Sequence, residues 1–203
     1  MRQRKIKNAE SLLREHEWVV KQYPITVTNT SVIELGMGKG DMLIKLAQQA
    51  PNINFYGIEK NESVAYIAAK KFEDLKIKNL KIINEDIINL DLIFKGKVDL
   101  IWLTFSDPWP KKSHAKRRLT HLKFLNLYKH LLTTHGIIKF KTDNLDFFNW
   151  SIESMEENGM EIIYKTNDLH QSEKNHNNIR TGYENKWAQR GVKINYLEVR
   201  FKE

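Results

Sequence analysis

Cysteine is absent from this chain, which excludes disulfides and thiolate metal sites. The histidines show no metal-like spacing with other ligands, so no metal centre is expected. Proline is scarce, with four in 203 residues, yet Pro108 and Pro110 stand one residue apart. No apolar run is long enough to span a bilayer. The start, Met1-Arg2-Gln3-Arg4-Lys5, is basic but has no apolar stretch after it, so it does not read as a secretory signal. A cytoplasmic protein with no membrane partner is the expectation. Low-complexity segments, internal repeats and linkers are also missing. Negative charge is the minority sign, and the formal net charge of +8 favours an anionic partner.

What is present fits one domain with a small excess. At this length folding buries roughly 70% of the unfolded surface, enough for a real core. Residues 1–30 read as a basic arm and short helix, and 31–203 as the catalytic domain. In the first part, Leu12, Leu13, His16, Val19 and Val20 mark a helical stripe over Ala9 to Val20. Pro24 and the polar Thr26 to Thr30 then break the pattern.

From Ser31 strands and helices alternate. Strands are expected at Val32–Leu35, Ile53–Ile58, Leu80–Asn84, Val98–Phe105, Gly136–Phe140, Met160–Lys165 and Lys193–Phe201. Helices are expected at Asp41–Ala50, from the cap Asn61 to about Leu75, at Leu122–Leu132 and at Phe147–Glu157, the last stopped by Asn158-Gly159. The stretch Asn167 to Gln189 is polar. The alternation predicts an α/β fold, a parallel sheet with helices on both faces.

Gly36, Gly38 and Gly40 stand where the first of these strands passes into a helix, so the backbone there turns sharply and approaches a ligand closely. A dinucleotide site needs G-x-G-x-x-G and places a pyrophosphate on the helix N-terminus. Here the third glycine comes one residue early, Asp41 opens the helix, and Glu34 precedes the first glycine by two. Carboxylates in those places repel a diphosphate and suit a cation such as S-adenosylmethionine, which carries a sulfonium and an ammonium. Glu59 follows the next strand at the spacing where an acid accepts hydrogen bonds from ribose hydroxyls. Asp86 follows the third, placed for an adenine amino group or, taken alone, for a helix cap. Three acids after three successive strands fall on the carboxyl edge, where such sheets bind ligands. Met37, between two of the glycines, reads as packing.

Asp107 ends the fourth strand. Pro108 and Pro110 stiffen the loop beyond it, and Trp109 offers a flat face to a purine drawn from its stack, or packs as core. Lys111, Lys112, Lys116, Arg117 and Arg118 come next. Such a run is usually a solvated face, but beside a flat ring at a cofactor crevice it reads as a phosphate track.

With Asp107-Pro108-Trp109-Pro110-Lys111-Lys112 and its basic run, Lys141-Thr142-Asp143, and Thr181-Gly182-Tyr183-Glu184 with Gly191 downstream, the chain from about Ser31 onward resembles the tRNA (guanine-N7)-methyltransferases. These are class I S-adenosylmethionine-dependent enzymes. The resemblance implies a Rossmann-like, mainly parallel seven-stranded sheet with an antiparallel last strand. It implies methyl transfer to N7 of a guanine in the variable loop of tRNA (position 46). Glu34, Gly36, Gly38, Glu59, Asp86 and Asp107 are then donor-binding, with Asp107 also catalytic. Lys111, Asp143, Thr181, Gly182, Tyr183 and Glu184 contact substrate, and Ser113, His114, Ala115, Lys116, Arg117 and Arg118 touch RNA. The chain departs from the family in Ser106, where Pro is frequent, and in Ser113 and Ala115, which dilute the basic run.

Three other readings remain open. An exocyclic-amine methyltransferase on adenine usually has its two prolines adjacent, whereas Trp109 separates them here. A non-catalytic RNA-binding module would not need the acidic set. A nicotinamide dehydrogenase is disfavoured by the glycine spacing and Asp41. Monomer and homodimer are both compatible with the sequence.

Overall fold

A computed structural model describes residues 5–203; the basic start Met1 to Arg4 lies outside the described residues. Its elements, in order, are α1 (Ala9–Glu15), β1 (Ile25–Val27), β2 (Val32–Leu35), α2 (Asp41–Gln49), β3 (Phe55–Ile58), α3 (Glu62–Asp74) and β4 (Leu80–Ile83). Then come α4 (Leu90–Ile93), β5 (Phe94–Gly96), β6 (Val98–Thr104), α5 (Leu122–Leu131), β7 (Leu132–Thr142), α6 (Leu145–Glu157), β8 (Met160–Thr166), α7 (Gly182–Ala188) and β9 (Asn195–Phe201). Short 3-10 turns connect several of these.

Seven strands form one sheet in the order β4-β3-β2-β6-β7-β9-β8. Pairing is parallel from β4 to β7, and β9 runs antiparallel between β7 and β8. This is the expected α/β architecture with an antiparallel last strand. The sheet forms where the sequence is apolar on both faces, as parallel strands covered by helices require. Ile33, Leu35, Ile101, Leu103, Ile138 and Phe140 pack with Phe124, Leu125 and Tyr128 of α5 and Phe147 and Phe148 of α6. The alternate residues Val32, Leu100 and Trp102 face the opposite layer, with Leu43 and Ala47 of α2 and Ala65, Ala69 and Phe72 of α3. Helix starts are set by side chains: Asn61 accepts from the Val64 amide at 3.2 Å, and Asn144 from the Phe147 amide at 2.8 Å.

The N-terminal segment differs from expectation. Helix α1 ends at Glu15 rather than Val20. Residues beyond it run along β4: the Ile82 amide donates to the Trp18 carbonyl at 2.8 Å, and the Val20 amide to the Ile82 carbonyl at 2.9 Å. The apolar Val19 and Val20 serve a sheet edge, not a helical stripe, and cover backbone groups that would otherwise be exposed. The segment expected to be irregular after Pro24 forms β1, which pairs in parallel with β5 in a separate two-stranded sheet. Strand β7 also begins four residues earlier than expected, at Leu132, where it pairs with Val98.

Gly57 in β3 is a close approach. A Cβ there would lie 2.1 Å from the sulfur of Met37 and 2.9 Å from Leu43 Cδ1. Both are buried, and Met37 is a packing residue as its position suggested. Gly57→Ala is therefore expected to destabilise the fold by about 1–3 kcal/mol through overpacking. Urea unfolding checks this: the midpoint falls and the slope stays constant. An unchanged midpoint would contradict the packing described.

Candidate active site

Beyond β2 the chain turns through Gly36 to Gly40, with the amides of Gly36 and Met37 both donating to the Ile58 carbonyl, at 2.9 and 3.0 Å. Gly38 sits at φ +58°, and a Cβ there would enter open space. Its amide donates to Glu59 Oε2 at 3.1 Å, while the Asn61 amide donates to Oε1 at 2.8 Å. Asn84 holds the Glu59 carbonyl at 2.8 Å. The loops after β2, β3 and β4 are thereby locked together. Burial pushes the Glu59 carboxyl above the ordinary carboxylate range; the two amides oppose this, and nearby Asp107 adds to the rise. Glu59 and Asp107 stand just past the carboxyl ends of β3 and β6, on either side of β2, where the strand order reverses and such sheets form a crevice.

Glu34 lies inside β2, one residue before its end, within the strand expected from the sequence, whereas Glu59 and Asp86 follow their strands. It is 2% exposed, and its Oε2 has no hydrogen-bond partner. Burial pushes its carboxyl up to about 8, against a bond from Thr104 and the charge of Lys141. Asp86 is a cap: its side chain accepts from the Ile88 amide at 3.1 Å, and Lys60 stands 3.7 Å away. Asp41, read as part of the cation-favouring set, is paired with Lys71.

The Asp-Pro-Trp-Pro loop is bent at two non-glycine residues in the left-handed region, Phe105 at φ +50° and Trp109 at φ +42°. Each costs roughly 1 kcal/mol or more, which the surroundings must offset. The Phe105 amide donates to the Lys141 carbonyl at 2.9 Å. Arg118 donates through Nε to the Pro108 carbonyl at 2.9 Å and through Nη2 to the Trp109 carbonyl at 3.0 Å. Its guanidinium lies 4.4 Å from the Trp150 ring centre. Arg118 is buried. Arg118, expected to touch RNA, here holds the loop with two of its five N–H donors, and its charge is stacked against α6. Lys111, Lys112, Ser113, Lys116 and Arg117 are exposed, while His114 and Ala115 are half-buried. Arg117 lies over the Trp109 ring at 4.9 Å, and His114 meets its edge at 5.7 Å. One face of Trp109 is therefore already covered by a cation.

Lys141 is the unexpected centre. Its side chain is 1% exposed, and its ammonium donates to Asn178 Oδ1 at 3.0 Å, the Ile179 carbonyl at 3.0 Å and Glu184 Oε2 at 3.1 Å. Glu184 also accepts from Asn178 at 2.6 Å and bonds His170 Nε2 at 2.7 Å. Burial works to raise the Glu184 carboxyl, but Lys141, Asn178 and His170 together hold it below its ordinary value. Glu184, expected to contact substrate, is fully buried in this set and points away from solvent. Thr181 caps α7, accepting from the Glu184 amide at 3.0 Å. A Cβ at Gly182 would lie 3.7 Å from Asp41, so α7 starts beside the glycine turn.

With Glu184 anchored, the preceding Tyr183 projects outward. Its hydroxyl donates to Asp143 Oδ2 at 3.1 Å, and its ring packs on Phe105 at 5.0 Å. Burial, then Asp143, and last Asp107 push its phenol up to about 12. Asp107, Asp143 and Tyr183 thus share the mouth of the crevice. The sequence reading missed His170 and Asn178 and gave Lys141 no role. The available signal was Lys141 standing directly after the expected strand Gly136–Phe140, in the Lys141-Thr142-Asp143 motif.

A family model described as "Putative methyltransferase" matches residues 28–197. A tRNA (guanine-N(7)-)-methyltransferase from Mycoplasmopsis pulmonis is 52% identical over 203 residues, covering 100% of both chains. One of the same name from Mycoplasma mobile is 49% identical, covering 99% of this chain and 100% of that one. Among solved structures, a SAM dependent methyltransferase from Aquifex aeolicus aligns with TM-score 0.56 at 14% identity, covering 96% of this chain and 90% of that one. PKMT2 from Rickettsia typhi in complex with AdoHcy aligns with TM-score 0.59 at 14% identity, covering 85% and 49%. Those two likenesses concern the fold. At half identity over the full length, the chain belongs to the tRNA (guanine-N(7)-)-methyltransferase family.

Proposed function

We propose that this protein transfers a methyl group from S-adenosylmethionine to N7 of a guanine in tRNA, giving 7-methylguanosine, in the cytoplasm. The carrying observation is a buried, unpartnered carboxyl oxygen on Glu34, with Glu59, Asp107 and Asp143 just past the carboxyl ends of β3, β6 and β7 and exposed Lys111, Lys112, Lys116 and Arg117 beyond β6. The guanine addressed is the one in the variable loop, and residues 31–203 form the catalytic unit.

The donor set fits a cation with a nucleoside part. Glu34, Gly36, Gly38, Glu59, Asp86 and Asp107 would hold it: Glu34 toward positive charge, Glu59 toward ribose hydroxyls, and Gly38 by leaving open space. When bound, S-adenosylmethionine supplies an electrophilic methyl on sulfur. Guanine N7 has an in-plane lone pair and no proton, so no general base is required. The protein's task is alignment of the purine, which converts a bimolecular encounter into an oriented one. The product ring is positively charged, and Asp107 and Asp143 at the crevice mouth stabilise that charge as it develops. Tyr183 fixes the orientation of Asp143 by its hydrogen bond. Lys111, Ser113, Lys116 and Arg117 grip the phosphodiester chain, aided by His114 and Ala115 as the backbone of that turn.

Glu34 gives this reading a pH signature. Its carboxyl binds a proton more tightly folded, at about 8, than at the ordinary 4.5. The resulting stability is fully present below the ordinary value and is lost as pH rises through the folded one. Unfolding at pH 5, 6, 7 and 8 is expected to show falling stability, and Glu34→Gln to flatten that fall. Donor affinity, followed by calorimetry, rises over pH 6–8 in the parent and stays flat in the variant. Equal slopes in both proteins would refute this role.

Activity is tested with labelled donor and tRNA, followed by nucleoside analysis. The parent forms 7-methylguanosine, and tRNA built with 7-deazaguanosine accepts no label. Asp107→Asn and Asp143→Asn each lower turnover by at least about tenfold. Methylation of the deaza-substituted RNA would point instead to an exocyclic amine.

A further inference from the structure

We propose a second RNA-gripping surface on α7 and the turn after it, formed by Lys186 and Arg190, on the opposite face of the sheet from the Lys111 to Arg117 track. This inference rests on the tRNA reading of the crevice. Tyr183 and Lys186, three residues apart on α7, share one face of it, and Arg190 lies in the turn just past the helix, its amide donating to the Trp187 carbonyl at 3.0 Å. All three are exposed. Glu184, the acid within this helix, is turned inward and spent on Lys141. Neither Lys186 nor Arg190 has an ion-pair partner among the described residues, whereas neighbouring Lys193 is paired with Asp168 at 3.4 Å. Arg190 lies over the Trp187 ring at 5.2 Å, which holds a cation on an aromatic support at the surface.

The two-layer fold decides where these charges stand. Arg118, the buried residue that follows the first track, packs on Trp150 and Phe147 of α6, in the α5/α6 layer. Helix α7 belongs to the other layer. Its anchor Lys141 projects from the sheet face that carries Trp102, and its N-terminus lies beside Asp41 of α2. Between the two sets of cations lies the carboxyl edge with Asp107, Asp143 and Tyr183. A phosphodiester chain crossing this edge meets positive charge on both sides of an acidic crevice. That arrangement suits a folded RNA with one base delivered into the middle, since each track alone would leave the far strand ungripped.

The test is tRNA binding by Lys186→Gln/Arg190→Gln at several salt concentrations, beside a control, Lys78→Gln/Lys95→Gln. The control cations are exposed; Lys78 precedes β4, and Lys95 lies in β5 of the small two-stranded sheet, just before the amino end of β6. The α7 variant is expected to bind tRNA about tenfold more weakly at low salt, with the log–log salt slope reduced by about 2. Donor affinity stays at the parent value, and the control keeps parental affinity and slope. Parental tRNA affinity in the α7 variant, or an equal loss in the control, overturns the surface. A parent that fails to bind tRNA at all removes the functional reading itself, a separate result from a parent that binds and a variant that binds equally.

Discussion

The buried pair between Lys141 and Glu184 is the constraint on which the site depends. Two charges withdrawn from water cost several kcal/mol each unless their remaining valences are filled. Here they are filled: the ammonium has three acceptors, and the carboxylate is also held by Asn178 and His170. The pair joins distant parts of the chain, β7 in the sheet and α7 near the C-terminus. Helix α7 has seven residues, too few to persist in water alone. Fixed at Glu184, it delivers Tyr183 to Asp143 and closes one side of the crevice.

The same lysine touches the other side of the chemistry. Its backbone carbonyl receives the Phe105 amide and so helps hold the strained start of the Asp-Pro-Trp-Pro loop. Its charge acts on Glu34 across the sheet. Arg118 does for the far end of that loop what Lys141 does for the near end. Lys141 spends its three donors on Asn178, the Ile179 carbonyl and Glu184, and Arg118 turns two of its donors to the backbone of Pro108 and Trp109. The exposed cations around them are then free to meet an anionic polymer while the crevice stays acidic. Separation of charge, negative within and positive at the flanks, lets one domain take a cationic small molecule and an anionic large one.

Much of this was legible in the chain. Val32 to Leu35 read as a short buried strand, and Val98 to Phe105 as a central one because it is apolar almost throughout. Gly36, Gly38 and Gly40 with Glu59 read as a cofactor turn because residue types and spacing excluded a diphosphate. Val19 and Val20 misled because an apolar pair fits a helical stripe or a sheet edge equally well, and only the partner strand decides. Strands β1 and β5 have three residues each, too few for any periodicity to register. Arg118 could not be separated from its basic neighbours, since a run of charges does not reveal which member turns inward. The roles of Asp143 and Thr181 to Glu184 came from family resemblance. The fold then split them, leaving Tyr183 at the mouth and turning Glu184 into the core.

The most direct measurement of the central claim is hydrogen exchange at the amides of residues 184–188, in the parent and in Lys141→Met, with α6 as internal reference. Protection of these amides in the parent comparable to that of α6, and its loss in the variant while α6 stays protected, is the predicted result. Rapid exchange in the parent, or undiminished protection in the variant, would show that α7 is held by something other than this pair and would contradict the account.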